Sequence, residues 1–147
     1  MNSLEYFNKG IFASPEALEK LKSAEKARLI LISDTHGNVD TIIDILGREG
    51  KKSDAVLFSG DGLADFLNYI TISQYEKELM ECIPSVAALV MGNCDSKKYV
   101  LNLDAGKTGA DFGFKKNPEQ YLEFFEFIFL EACRKKILLT HGHEFYV

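Results

Sequence analysis

The stretch Arg28-Leu-Ile-Leu-Ile-Ser-Asp34-Thr-His36-Gly-Asn38 decides the fold. Its first half is a short, unbroken apolar run, the pattern of a strand buried on both faces in the middle of an α/β sheet. Its second half places a carboxylate, an imidazole and a glycine directly behind that strand. Asp34 and His36 are two residues apart, so in extended backbone their side chains share a face. Carboxylate oxygen and imidazole nitrogen together suit a divalent metal of intermediate hardness. Gly37 then lets the chain turn sharply. Alone, the D-x-H pair fits equally well a capping aspartate followed by a surface histidine.

Downstream the same grammar repeats. Val39 to Glu49 reads as a helix, with Ile42, Ile43 and Leu46 on one face and Gly50 as its C′ residue. Ala55 to Ser59 is a second buried strand, ending in Gly60-Asp61-Gly62. A helix within 73–82 leads to Pro84, and Val86 to Met91 forms a third strand ending in Gly92-Asn93-Cys94-Asp95. Residues 96–117 are polar and read as loop. Residues 119–133 fit both periods. They read as helix or loop to 122 and strand over 124–131, followed by a turn through 132–135. A last strand over 136–140 delivers Thr140-His141-Gly142-His143. Upstream, Ser14-Pro15-Glu16 is a helix start, with Leu18, Leu21 and Ala24 recurring to about Ala27. Residues 1–14 form an extended lead-in. The expected division is therefore an extension with a peripheral helix over 1–27, then one domain over 28–147.

Open α/β sheets hold ligands at the carboxyl ends of their strands, so four polar motifs converge on one edge. The two oxygens of Asp61 could bridge two metals about 3.5–4 Å apart, and its flanking glycines allow close backbone approach. Asp65 reads as a solvated side chain. Asn93 offers a neutral amide oxygen, a ligand that adds no charge to a crowded site. Cys94 stays open between proton donor, soft ligand and small packed residue. Asp95 is placed to orient its neighbours by hydrogen bonding. His141 is a candidate imidazole ligand, and His143 stands behind it or faces substrate. All three histidines of the chain fall within these motifs.

The order D-x-H, G-D, G-N-C-D, T-H-G-H resembles the calcineurin-like metallophosphoesterase superfamily. Within it, the series is most similar to the small prokaryotic phosphodiesterases, whose third motif often reads G-N-C-D. The likeness covers residues 28–147. It implies a four-layer α/β/β/α sandwich and a hydrolase acting on phosphoric esters, with phosphodiesters the expected small-molecule substrates. By the same resemblance Asp34, His36 and Asp61 hold one divalent ion. Asp61, Asn93 and His141 hold a second, and a hydroxide between the ions attacks phosphorus in line. Manganese is the first choice of metal, with nickel, iron, zinc or magnesium compatible. Relatives with histidine at the position of Cys94 use it to protonate the leaving oxygen; here that proton must come from elsewhere or from Cys94 itself. The resemblance also implies a closing G-H-x-H motif, which does not occur before Val147, so the fold is expected to be truncated at its C-terminus. Two alternatives follow: a non-catalytic protein-interaction module on the same fold, or an inactive truncated fragment.

Composition narrows the remaining classes. The chain has 147 residues, 46% hydrophobic and 27% charged, as expected for one globular domain. A net charge of -5 argues against an extensive nucleic-acid surface. Cys82, Cys94 and Cys133 form no C-x-x-C pair, which points to a reducing, cytoplasmic setting. No apolar run is long enough to span a membrane, and residues 1–10 lack the basic start of a secretory signal. Ala105-Gly106-Lys107-Thr108 looks like the end of a phosphate-binding P-loop, but Leu101 stands where its first glycine belongs.

Overall fold

A computed structural model describes residues 6–8, 10–102 and 119–143. The P-loop look-alike at Ala105–Thr108 and most of the expected loop over 96–117 lie outside them. In chain order the elements are β1 (Tyr6–Asn8), β2 (Ile11–Ala13), α1 (Pro15–Ser23), β3 (Leu29–Ile32), α2 (Val39–Glu49), β4 (Ala55–Phe58), α3 (Leu63–Ser73), α4 (Lys77–Glu81), β5 (Val86–Leu89), β6 (Lys98–Asn102), β7 (Glu119–Glu123), β8 (Phe127–Ala132) and β9 (Lys135–Thr140).

The three apolar runs pair side by side in a five-stranded sheet ordered β1-β2-β5-β4-β3. The first run, expected in the middle of the sheet and buried on both faces, is instead the edge strand β3, with Leu31 68% exposed, because no further strand pairs with it among the described residues. β3, β4 and β5 are parallel and in register, Leu29 beside Ala55 and Ala55 beside Val86, through to Ile32, Phe58 and Leu89. Every residue of β4 and β5 is buried because both faces of the sheet are covered. The strand period of two sorts these residues between two cores. Phe12, Val56, Phe58, Ala87 and Leu89 pack with Ile42 and Leu46 of α2 and with Leu63, Phe66 and Ile70 of α3. Ile11, Ala13, Ala55, Leu57, Val86 and Ala88 pack with Leu21 of α1 and with Ile128, Leu130 and Leu139 of the β8–β9 hairpin. The α/β class read from the sequence is the class that forms, with α2 and α3 packed on one face of the sheet and α1 with the β8–β9 hairpin on the other.

Several elements differ from expectation. The lead-in supplies β1 and β2, and β2 pairs antiparallel to β5. Helix α3 was not foreseen, although Leu63, Phe66, Leu67 and Ile70 recur at helical spacing and are buried. Residues 98–102, expected in the loop, pair with 119–123, expected as helix or loop, in an antiparallel ribbon. Tyr99 of that ribbon stacks edge-on against Phe124. Gly50 is not a left-handed C′ residue; it sits at φ -59° and opens a short 3-10 turn. Its glycine is required instead by space, since an added Cβ would collide with the carbonyl oxygen of Cys82.

Helix α1 begins as its sequence suggests. Ser14 is extended and its hydroxyl accepts the Ala17 amide at 3.1 Å, with proline at the helix start. Its last carbonyls, those of Leu21 and Lys22, accept the amides of Cys133 and Arg134 in the β8–β9 turn. The N-terminal segment is thereby tied to the hairpin across the second core. Ser14→Ala should cost about 1 kcal/mol in urea unfolding, the usual worth of an N-cap hydroxyl.

Candidate metal centre

Because β3, β4 and β5 run in register, the loops that follow them lie side by side. Backbone bonds stitch them together: the Asp34 amide donates to Gly60 O at 2.9 Å and the His36 amide to Asp61 O at 3.2 Å. These loops carry unusual backbone. Among the described residues five non-glycine positions have positive φ, and three of them are Asp34 (57°), His36 (46°) and Asp61 (59°). The other two, Cys133 and Arg134, form the tight turn between β8 and β9, where such angles are ordinary. Left-handed backbone costs a residue with a Cβ free energy, and it persists where the surroundings over-determine it. Asp34 and His36 therefore do not meet through extended alternation, as their spacing alone predicts. They meet because both are left-handed, with His36 Nε2 3.3 Å from Asp34 Oδ1.

Ligand atoms from Asp34, His36 and Asp61 all lie within 4.8 Å of one another. Asp34 and His36 are exposed, whereas Asp61 is buried at the β4 tip. The Ser33 hydroxyl donates to the Asp34 carboxylate, and this bond, with the nearby His141 and His36 rings, holds Asp34 below the usual carboxylate range. Asp34 thus keeps its negative charge to lower pH than an unperturbed aspartate. From β9 comes His141, whose Nδ1 lies 2.9 Å from Ser59 O. A carbonyl can only accept, so Nδ1 carries the proton and the other ring nitrogen is left for a ligand. That Nε2 faces Asp61 Oδ2 at 3.4 Å. A neutral imidazole nitrogen and a carboxylate oxygen at such a distance oppose lone pairs unless a proton or a cation lies between them. The donor set, carboxylates and imidazoles without thiolate, fits a divalent cation.

The third motif closes the group. The Cys94 amide donates to Asp61 Oδ1 at 2.9 Å, and the exposed Asn93 side chain lies beside it, Nδ2 3.6 Å from Cys94 Sγ. Cys94 is exposed, so it is not a packed core residue. The Asp61 charge, supported by Asp95 and Asp34, pushes its thiol up, which keeps it a protonated, neutral donor near pH 7 in the metal-free chain. Asp95 gathers four amides on one carboxylate: Asp61 at 2.7 Å, Gly92 at 2.8 Å, Gly62 at 3.0 Å and Leu63 at 3.1 Å. It joins the β4 and β5 tips and caps α3 from 32 residues beyond Leu63 in sequence. His143 is half-buried, its ring centroid 5.6 Å from that of His141.

Asp65 corrects the sequence reading. It is not solvated but 4% exposed, and its carboxylate accepts from Thr35 Oγ1 at 2.5 Å and from the Gly37 amide at 2.9 Å. The pattern of small and turn-forming residues around it masked a helix start. A cavity of about 390 Å³, bounded by Ser14, Lys20, Asp54 and Ser85, lies elsewhere. Asp54 and Ser85 precede β4 and β5, so it opens at the opposite end of the strands from the polar cluster.

The sequence profile of calcineurin-like phosphoesterases matches residues 27–146. The chain belongs to that family. No match among curated proteins reaches significance. A solved structure from Streptococcus pneumoniae TIGR4, a conserved uncharacterized protein termed a predicted phosphoesterase, shares 23% identity with a TM-score of 0.43. The match covers 84% of this chain and 49% of that one, so the chain spans about half the length of the streptococcal protein. Asp34, His36, Asp61, Asn93, Cys94, Asp95, His141 and His143 all fall inside the segment that the family profile matches. Among the described residues no helix is long and apolar enough to cross a membrane.

Proposed function

We propose that this calcineurin-like chain carries the metal-binding half-site chemistry of a phosphodiesterase that uses two divalent cations, manganese first among them. In this reading Asp34, His36 and Asp61 would hold one ion, and Asp61, Asn93 and His141 the other. Bound cations would supply Lewis acidity toward phosphoryl oxygens and a water activated near neutral pH.

The chain's own groups account for the rest. Asp61 turns one oxygen to the Cys94 amide and the other to His141, a geometry that suits a shared ligand. The Ser59 carbonyl accepts from His141 Nδ1, which leaves Nε2 as the nitrogen that would face a metal. Asp95 orients the Asp61 backbone, and the exposed Cys94 stands beside Asp61 where its thiol could reach a departing oxygen. His143, beside His141, is placed to contact substrate or to support that ring. The reading includes a phosphoester small molecule as substrate and a cytoplasmic setting.

The observation that carries it is the set of three left-handed non-glycine residues that are also the clustered donors. A purely scaffolding role gives no reason to hold Asp34, His36 and Asp61 in that backbone. The test is manganese titration by calorimetry, followed by hydrolysis of bis(p-nitrophenyl) phosphate and p-nitrophenyl phosphate. Saturable metal uptake and metal-dependent turnover, faster on the diester and abolished by EDTA, are expected. A cooperatively folded chain that takes up no manganese at millimolar concentration rules the reading out.

A further inference from the structure

We infer that Asp65 is a positioning residue that holds the Asp34–His36 loop in its ligand-presenting shape. The inference rests on the proposed metal site for its functional meaning, and on hydrogen-bond geometry for its structural content. Asp65 lies in the first turn of α3, two residues after Leu63. A carboxylate there usually serves its own helix by facing the free amides of the first turn. Here that task falls to Asp95, which accepts the Gly62 and Leu63 amides from the β5 loop. The Asp65 carboxylate turns outward from α3 instead, and one oxygen, Oδ2, accepts both the Thr35 hydroxyl and the Gly37 amide.

Thr35 and Gly37 flank His36, so a single buried oxygen pins both sides of that residue. The pinned segment holds two non-glycine residues in left-handed backbone, Asp34 and His36 with φ of 57° and 46°, before Gly37 at 89°, an angle glycine takes freely. Thr35 is itself buried at 8% exposure, so its hydroxyl needs a partner in the interior, and Asp65 is that partner. Gly62 makes room for the pair. A Cβ on it would collide with Thr35 Oγ1 and stand 3.0 Å from Asp65 Oδ2. Helix α3 thus grips the first metal-binding loop through its first turn, and the strand register alone does not shape that loop.

Two measurements on Asp65→Ala, Asp65→Asn and Thr35→Val decide the matter: hydrogen exchange at the Gly37 amide in the metal-free protein, and manganese affinity. In Asp65→Ala, Gly37 should exchange at least roughly tenfold faster and manganese should bind roughly 10- to 100-fold more weakly, the usual cost of losing a group that orients a ligand. Asp65→Asn keeps an acceptor oxygen and should recover most of both losses. Thr35→Val should weaken manganese several-fold, and its effect should not add to that of Asp65→Ala. A folded Asp65→Ala protein with parental Gly37 exchange and parental affinity overturns the inference. Should that variant not fold, parental affinity in Thr35→Val overturns it instead. If the parent chain binds no manganese, the proposed function falls, while Gly37 exchange still judges the tie made by Asp65.

Discussion

Asp61→Asn is expected to abolish divalent-metal binding at micromolar concentration and to lower metal-dependent hydrolysis by about a hundredfold or more, without unfolding the chain. The side chain keeps its shape, and its remaining oxygen can still accept the Cys94 amide, now 2.9 Å from Oδ1. The new amide nitrogen would then face His141 Nε2, at present 3.4 Å from Oδ2, and donate to it. The substituted site satisfies itself. The place where a cation would relieve opposed lone pairs becomes an ordinary hydrogen bond, and the carboxylate charge is gone. The metal-free variant should melt at the parental temperature or above, because the ligand atoms of Asp34 and Asp61 lie within 4.8 Å and one of two crowded charges is removed. Cys94 provides an independent readout. Asp61 is the main cause of its raised thiol, so in Asp61→Asn the thiol should return toward its ordinary value. Alkylation of metal-free protein at mildly alkaline pH should therefore be faster in the variant than in the parent. Calorimetry showing parental manganese affinity in Asp61→Asn would remove Asp61 from the site.

The strand tips were legible because their cause is local. Runs such as Ala55–Phe58 and Val86–Leu89 have no polar face and are covered on both sides, whereas Leu29–Ile32 carries the same apolar pattern at the sheet edge, where Leu31 is exposed. Once those strands are parallel neighbours, the polar residues behind them must meet, so Asp34, Asp61 and the third motif could be assembled on paper. Helix α3 is missed in the sequence reading although Leu63, Phe66, Leu67 and Ile70 carry its spacing, because Gly62 before it and Asp65 within it read as turn and solvent. The β6–β7 ribbon was not. Its pairing joins Lys98 to Glu123 and Asn102 to Glu119 across a long sequence gap, and Val100 and Tyr121 on it are exposed, so no apolar alternation announces it.

What sequence could not supply at the site was backbone conformation. Nothing in the chemistry of aspartate or histidine calls for positive φ; the demand comes from Gly60 O and Asp61 O accepting the Asp34 and His36 amides. The environment of Asp65 is equally non-local, set by Thr35 and Gly37 about thirty residues upstream. A carboxylate four residues past the aspartate of a G-D motif looks solvated until its partners are known. Side-chain identity thus named the donors, and tertiary hydrogen bonds decided how they face one another.

Gly92→Ala is expected to damage stability and metal binding together, and by more than a methyl group in a core usually does. Gly92 is buried where the β5 tip meets the β4 tip. A Cβ there would collide with Asp61 Oδ1 and stand 2.6 Å from the Asp61 amide nitrogen and 2.7 Å from its Cγ. Gly60 closes off retreat, since a Cβ built on it would already lie 2.5 Å from Gly92 N and 2.8 Å from Gly92 Cα. The Gly92 amide also donates to Asp95, so any shift of the backbone loosens the carboxylate that ties the two loops. Overpacking of this kind costs about 1–3 kcal/mol, and the loss of the Asp95 bond to Gly92 adds to it. Gly47 is the internal control. It lies exposed in α2 with nothing within 4 Å of an added Cβ, so Gly47→Ala should stabilise by about 0.5–1 kcal/mol through helix propensity alone. Urea unfolding and manganese calorimetry on both variants separate the two effects. Equal stability and equal metal affinity in Gly92→Ala and the parent would mean that the close contact of the β4 and β5 loops does not place Asp61, and the ligand geometry would need another origin.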